Sequence, residues 1–371
     1  MAREAFITRP LSILLDLVRG GAALVVLLGH MVQMGLYSGP WPFSQHAQHN
    51  AVVVFFVLSG LVIAASAMKG GQDLRAYAIA RFTRIMPVAL FALCLAALSY
   101  ALASAFGAEP ALSPEGYDRP GLAATVMPLF FLSESGAGVG PVWNPPYWSL
   151  VYEVWYYALF AAAFFLTGAR RVIWIAVLAA LAGPRVLLLL PVWLLGVGLA
   201  RYGHGLVANT RQAWMLAALA GGLFWIAGGT HFLWTPLAAH ALGLDPSALR
   251  FSGHALTDYV LGLGVALLFV ALRPFAARLE PVLERSRKAI TGFAGFSFTL
   301  YLIHWPILSL LSAFGIGAGD SVAGFAALIG LILAFAWSVA RVTEHRSPEL
   351  RRWMTGALSH QRRNEAVRQP L

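Results

Sequence analysis

Arg19 and His30 stand eleven residues apart in one apolar run. At about 100° per residue they fall on nearly one line of a helix, about 16 Å apart along its axis. Ionisable groups at that depth are costly and, as a rule, face a bundle interior, which makes both candidates for function. The imidazole can act as general base or as nucleophile, and the guanidinium can stabilise developing negative charge. The plainer alternative is an arginine snorkelling to the interface and a histidine bonded to a carbonyl.

Further polar groups interrupt other apolar runs. Ser149 and Glu153 are four apart and share a helix face, which aims the carboxylate into the bundle that holds His30. Glu153 could orient that imidazole or steer an acceptor. Phe55-Phe56-Val57-Leu58-Ser59-Gly60 places a hydroxyl at depth beside a glycine suited to close helix approach; Ser59 is an alternative covalent relay. Arg81 and Arg84, three apart at the mouth of the third run, suit phosphate oxygens, with positive-inside anchoring as the competing explanation. His304 sits two residues before Pro306, which frees a backbone carbonyl it can bond. Trp148, Ser149, Tyr152 and His304 are the candidate substrate contacts, although an interfacial aromatic belt accounts more simply for Trp148 and Tyr152. His46, His49, His231, His240 and His254 show no ligand spacing, so no metal is expected.

Those residues need helices that cross a bilayer. Of 371 residues, 59% are hydrophobic and 11% charged, against roughly 25% charged in soluble domains. The composition predicts an all-α polytopic membrane protein. Ten spans are expected, at roughly 11–36, 48–68, 82–105, 147–167, 171–187, 188–203, 212–230, 255–272, 291–314 and 321–342. Gly183-Pro184-Arg185 leaves open a turn between the fifth and sixth or a kink in one helix. The first run is too long for a signal peptide's apolar region and is read as retained.

Basic residues cluster in alternate loops, while the outer loops carry only Arg119, Arg185 and Arg250. This asymmetry predicts both termini in the cytoplasm, and it argues against a nucleic-acid partner despite a net charge of +10. A lone Cys94 excludes an internal disulfide. The expected organisation is a membrane domain over 1–343 and a basic cytoplasmic tail over 344–371. The loop at about 106–146 is the longest and is rich in Pro and Gly; a short apolar piece near 122–132 is too brief to span.

The ordered set of motifs resembles the integral membrane acyltransferases known as acyltransferase 3. It comprises Leu15-Asp16-Leu17-Val18-Arg19 with His30, the segment at 55–60, Arg81-x-x-Arg84-Ile85-x-Pro87, Tyr147-Trp148-Ser149-Leu150-x-x-Glu153, Tyr301-Leu302-x-His304-x-Pro306, and Glu344 with Pro348 and Arg351. The resemblance covers nearly the whole chain; one mild departure is Leu61 where many relatives have Phe. It implies transfer of an acyl group, commonly acetyl from cytosolic acetyl-CoA, to a hydroxyl of a glycan or glycolipid acceptor, in a bacterial cytoplasmic (inner) membrane. It further implies a stand-alone member without the SGNH domain that some relatives carry. On this reading Arg81 and Arg84 hold the donor phosphates and His30, Arg19 and Glu153 serve catalysis. The rival reading is a proton-coupled secondary transporter or exporter using the Arg19/His30/Glu153 line, or else a structural partner in a polysaccharide assembly.

Overall fold

The computed structural model describes residues 5–43, 46–112, 114–135, 138–206, 209–241 and 249–356, and of 230–239 and 241 the backbone alone. Among these residues the chain is helical, with no strand. The helices are α1 (Arg9–Gln33), α2 (Ala47–Met68), α3 (Leu74–Ala105), α4 (Leu122–Leu129), α5 (Tyr147–Phe165), α6 (Gly168–Tyr202), α7 (Thr210–Ala241), α8 (Ala255–Arg278), α9 (Glu280–Ala294), α10 (Ser297–Ala313) and α11 (Val322–Val342). Hydrocarbon offers no partner for a free backbone group, so helices that satisfy their own are the solution such a sequence has. Some of their starts carry side-chain caps: the hydroxyl of Thr8 accepts from the Leu11 amide of α1, and the Asp73 carboxylate accepts from the Ala76 amide of α3 at 2.7 Å.

Among the described residues eight helices are long and apolar enough to cross a membrane, and the bent pair α9 and α10 makes nine. Charge asymmetry identifies the ends of the bundle as inner and outer. The remaining span comes from α6. Its 35 residues would measure about 52 Å if straight, against a hydrocarbon core of about 30 Å. Gly183 breaks it at φ 81°, where the backbone lies against Ser135 of the long outer loop. Beyond the chain's return, Gly203 packs on Phe6 at the inner end. The segment is therefore a helical hairpin turning at Gly183, as the ten-span expectation has it.

The ninth expected span begins differently. Residues 280–290 form most of α9, a charged amphipathic helix that lies against α1 and turns by 41° into α10. Its charge clipped the apolar window at about 291, so the sequence reading treats it as loop. Arg9 of α1 holds it through a paired contact to Glu284, at 2.6 and 2.9 Å.

α2 packs tightly on the return arm of α6. A Cβ on Gly60 would collide with the Trp193 carbonyl, and one on Gly196 with the Val57 carbonyl. Two backbones in contact fix the depth at which Ser59 meets its neighbours.

At the outer end the long loop is tied to the start of α8. The Tyr117 hydroxyl donates to Glu134 at 2.7 Å, and Arg250 reaches the same carboxylate at 3.5 Å while covering the Tyr117 ring. Burial pushes both the Tyr117 hydroxyl and the Glu134 carboxyl above their ordinary values, with Arg250 opposing the shift. The short apolar piece forms α4, whose Leu122 and neighbouring Phe130 are exposed, as suits an interfacial helix.

Candidate active site

α1, α2, α3, α5 and α10 enclose a cavity of about 250 Å³ lined by Arg19, Ser59, Arg81, Arg84, Ser149 and Glu153 among others. Six of the ten residues singled out from sequence thus meet at one space. Arg19 and His30 both turn inward toward α10: Arg19 shares the cavity wall with Ser297, Phe298 and Tyr301, and His30, about three turns farther out along α1, meets His304.

The cations at the inner end differ in how they are held. Arg19 pairs with Asp16, one turn before it, at 3.0 Å. Arg84 reaches Glu344 at 3.5 Å, and that buried carboxylate also accepts from the amide and hydroxyl of Thr299 at 3.3 and 3.1 Å. Arg81 has no carboxylate within ion-pair distance among the described residues. Its guanidinium lies 5.9 Å from the ring centres of Tyr77 and Tyr157, and its buried Nε has no partner. An intramembrane cation with aromatic neighbours and no counter-charge is a ready anion site.

Glu153 does not touch His30. Its Oε1 accepts from the Ser59 hydroxyl and, at 2.5 Å, from Tyr157. The Trp193 indole donates to the same Ser59 oxygen at 3.2 Å. Helix geometry explains the exchange of partners: Tyr157 is one turn on from Glu153 along the same face of α5, and the Gly60–Trp193 contact brings α2 close enough for Ser59 to join them. The expectation that Glu153 orients the imidazole is replaced by a Ser59–Glu153–Tyr157 cluster.

His30 is oriented by His304 instead. His30 Nδ1 lies 2.8 Å from His304 Nε2, and His304 Nδ1 lies 2.6 Å from the Tyr301 carbonyl. A carbonyl can only accept, so His304 carries its proton on Nδ1. Its Nε2 then accepts from His30 Nδ1–H, which leaves the lone pair of His30 on Nε2. The two rings are nearly parallel, with Trp305 edge-on to His30 at 4.6 Å.

The cavity ends short of this pair. Tyr301 and Phe55, edge to face at 5.6 Å, are among its lining residues, and Tyr301 is held by Ser149 at 2.6 Å and the Pro146 carbonyl at 3.2 Å. Tyr301 therefore borders the cavity with its ring and fixes the histidine pair with its carbonyl.

Trp148 and Tyr152 are not at the cavity. Both are buried: Trp148 stacks on Phe251 at 4.7 Å and Tyr152 bonds Ser252 at 2.8 Å. They lock α5 to the start of α8 and line no interfacial belt. Sequence reasoning missed Asp16, Tyr157, Trp193 and Tyr301 as contributors. Asp16 and Tyr157 were legible in principle as one-turn neighbours of Arg19 and Glu153. His231 and residues 357–371 of the expected tail lie outside the described side chains and residues.

Residues 13–341 match the acyltransferase 3 family model, an acyltransferase domain. No curated protein and no solved structure matches the chain. Glu344, which braces Arg84, lies just past the matched region. Since the match takes in every helix that lines the cavity, the chain belongs to the acyltransferase 3 family and is a membrane acyltransferase.

Proposed function

We propose that the protein carries an acetyl group from cytosolic acetyl-CoA to a hydroxyl of a glycan or glycolipid, in a bacterial cytoplasmic membrane. The observation that carries this reading is Arg81: a cavity-lining guanidinium at the inner mouth with no carboxylate partner among the described residues. It fits a phosphate, with Arg84 beside it. The cavity is smaller than the 300–1,000 Å³ usual for whole ligands, so the nucleotide stays at the mouth and the slender arm enters.

His30 Nε2, with its lone pair directed by His304, is the nucleophile that takes the acyl group, and the thiolate leaves toward the inner mouth. Arg19 stabilises the negative charge that develops on the carbonyl oxygen.

A second reading is favoured by one contact. The Ser59 hydroxyl donates to Glu153 inside the cavity, an arrangement in which the carboxylate serves as base to a serine nucleophile. Purified His30→Ala and Ser59→Ala variants separate the two. Under the first reading His30→Ala abolishes transfer from radiolabelled acetyl-CoA while Ser59→Ala keeps a measurable rate; unchanged transfer in His30→Ala removes that histidine from the chemistry.

A further inference from the structure

Outside the cavity, the outer ends of α2 and α8 bring a second imidazole against a second carboxylate. His49, in the first turn of α2, places Nε2 2.9 Å from Oδ1 of Asp258, in the first turn of α8. The carboxylate is 1% exposed, and its other oxygen is buried without a donor among the described residues. The imidazole is 17% exposed at its side chain. His254 meets His49 edge-on at 5.3 Å, His46 follows at 6.5 Å from His254, and Trp148 lies nearly parallel to the His49 ring at 6.3 Å. Among the described residues these groups do not converge as metal ligands.

A carboxylate can only accept, so His49 carries its proton on Nε2 and keeps a lone pair on Nδ1. A buried carboxylate with one oxygen unserved concentrates its charge on the one imidazole it touches and strengthens that ring as a base. A strut between two helices needs no such arrangement, since an amide pair would hold them without burying charge.

The position matters as much as the pair. α1 runs outward and α2 returns inward, so His30 and His49 each lie about one turn from the outer end of neighbouring antiparallel helices. The Gln48 side chain packs on Gly29, where an added Cβ would come within 2.7 Å of its Oε1. The residues next along each helix are His49 and His30. A group carried by His30 is thus at the level of the dyad.

We infer that His49, positioned by Asp258, is the base that deprotonates the acceptor hydroxyl at the outer mouth of the bundle. This rests on the acyltransferase reading proposed above and adds to it the side on which the acceptor is modified. In the step, the hydroxyl oxygen bonds the acyl carbon while the bond from that carbon to the His30 nitrogen breaks. The hydroxyl proton passes to His49 Nδ1 and from there to water, and the electron pair of the broken bond returns to the His30 ring. The substrate class is a hydroxyl-bearing glycan that reaches the outer face.

The test uses the full chain in membrane vesicles that retain the cell's own envelope glycans, supplied with radiolabelled acetyl-CoA. Alkali-labile label in the glycan fraction reads transfer, and thermal stabilisation of the purified protein by acetyl-CoA reads the donor site. His49→Ala should lower glycan labelling by about 100-fold or more while stabilisation by acetyl-CoA matches wild type. Asp258→Asn keeps an acceptor for His49 Nε2–H but loses the charge; it should cut transfer and shift its pH profile, whereas a strut would tolerate it. Wild-type transfer in His49→Ala overturns the role of His49. Loss of donor stabilisation in both variants overturns it as well, by showing a structural part. A wild-type protein that takes no label from acetyl-CoA overturns the acyltransferase proposal itself, an outcome distinct from the other two.

Discussion

His30 and His304 face each other across α1 and α10 with 2.8 Å between Nδ1 of one and Nε2 of the other. The contact gives the reactive ring one tautomer and one orientation, because the far side of His304 is tied to the Tyr301 carbonyl. His304→Ala should therefore lower kcat about 10- to 100-fold with little change in the KM for acetyl-CoA. His304→Gln, which can donate to the carbonyl or accept from His30, should recover part of the loss. Steady-state kinetics on purified protein decide it; an effect confined to KM would assign His304 to substrate binding instead.

Arg81 and Arg84 should separate under mutation although they share a helix face. Removing Arg81 strips an anion site that has no acid partner among the described residues, so its cost falls on the donor: a charge-assisted bond of about 1.5–3 kcal/mol corresponds to about 10- to 100-fold in Kd. Removing Arg84 also strands the buried Glu344 carboxylate. Arg81→Ala should melt near wild type without donor and lose the stabilisation by acetyl-CoA, while Arg84→Ala should melt lower in both conditions. Equal melting curves for the two variants would contradict the distinction.

Gly60 and Gly198 give a matched pair for testing the contact between α2 and the hairpin. A Cβ at Gly60 meets the Trp193 carbonyl, whereas one at Gly198 meets nothing within 4 Å. Overpacking of this kind costs about 1–3 kcal/mol, so Gly60→Ala should lower the melting temperature in detergent and Gly198→Ala should not. Because the Trp193 indole bonds Ser59, Gly60→Ala should also disturb the Ser59–Glu153 contact and reduce turnover.

Glu134 makes the anchoring of the outer loop depend on pH. Burial raises its carboxyl above the ordinary 4.5, so the folded loop favours the protonated form more than the unfolded chain does. The associated stability is fully present below 4.5 and is lost as pH rises through the higher folded value. Protease protection of the loop should decline over that interval, and Glu134→Gln, which keeps an acceptor for Tyr117, should flatten the dependence. A wild-type loop whose protection rises with pH would reverse the sign and refute the assignment.

The reading from sequence alone reached the bundle because a bilayer is a severe solvent. It tolerates few polar groups, so apolar length marks the spans, basic loops mark the orientation, and Arg19, Ser59, Arg81, Arg84, Ser149 and Glu153 stand out as groups needing a reason to be there. One-turn spacing along a helix was likewise legible, since it needs only 3.6 residues per turn. Partners across helices were not: Glu153 was expected beside His30, but a close backbone contact at Gly60 rotated the choice to Ser59, and His304 on a helix 274 residues away took the imidazole. The turn at Gly183 stayed undecided until the backbone met Ser135, and α9 was read as loop because its charge hid a helix lying along the bundle's inner end. Helical periodicity is a property of one segment and can be counted along the chain. Which side chain closes on which depends on how segments dock, and docking is decided by shape and contact that no single segment contains.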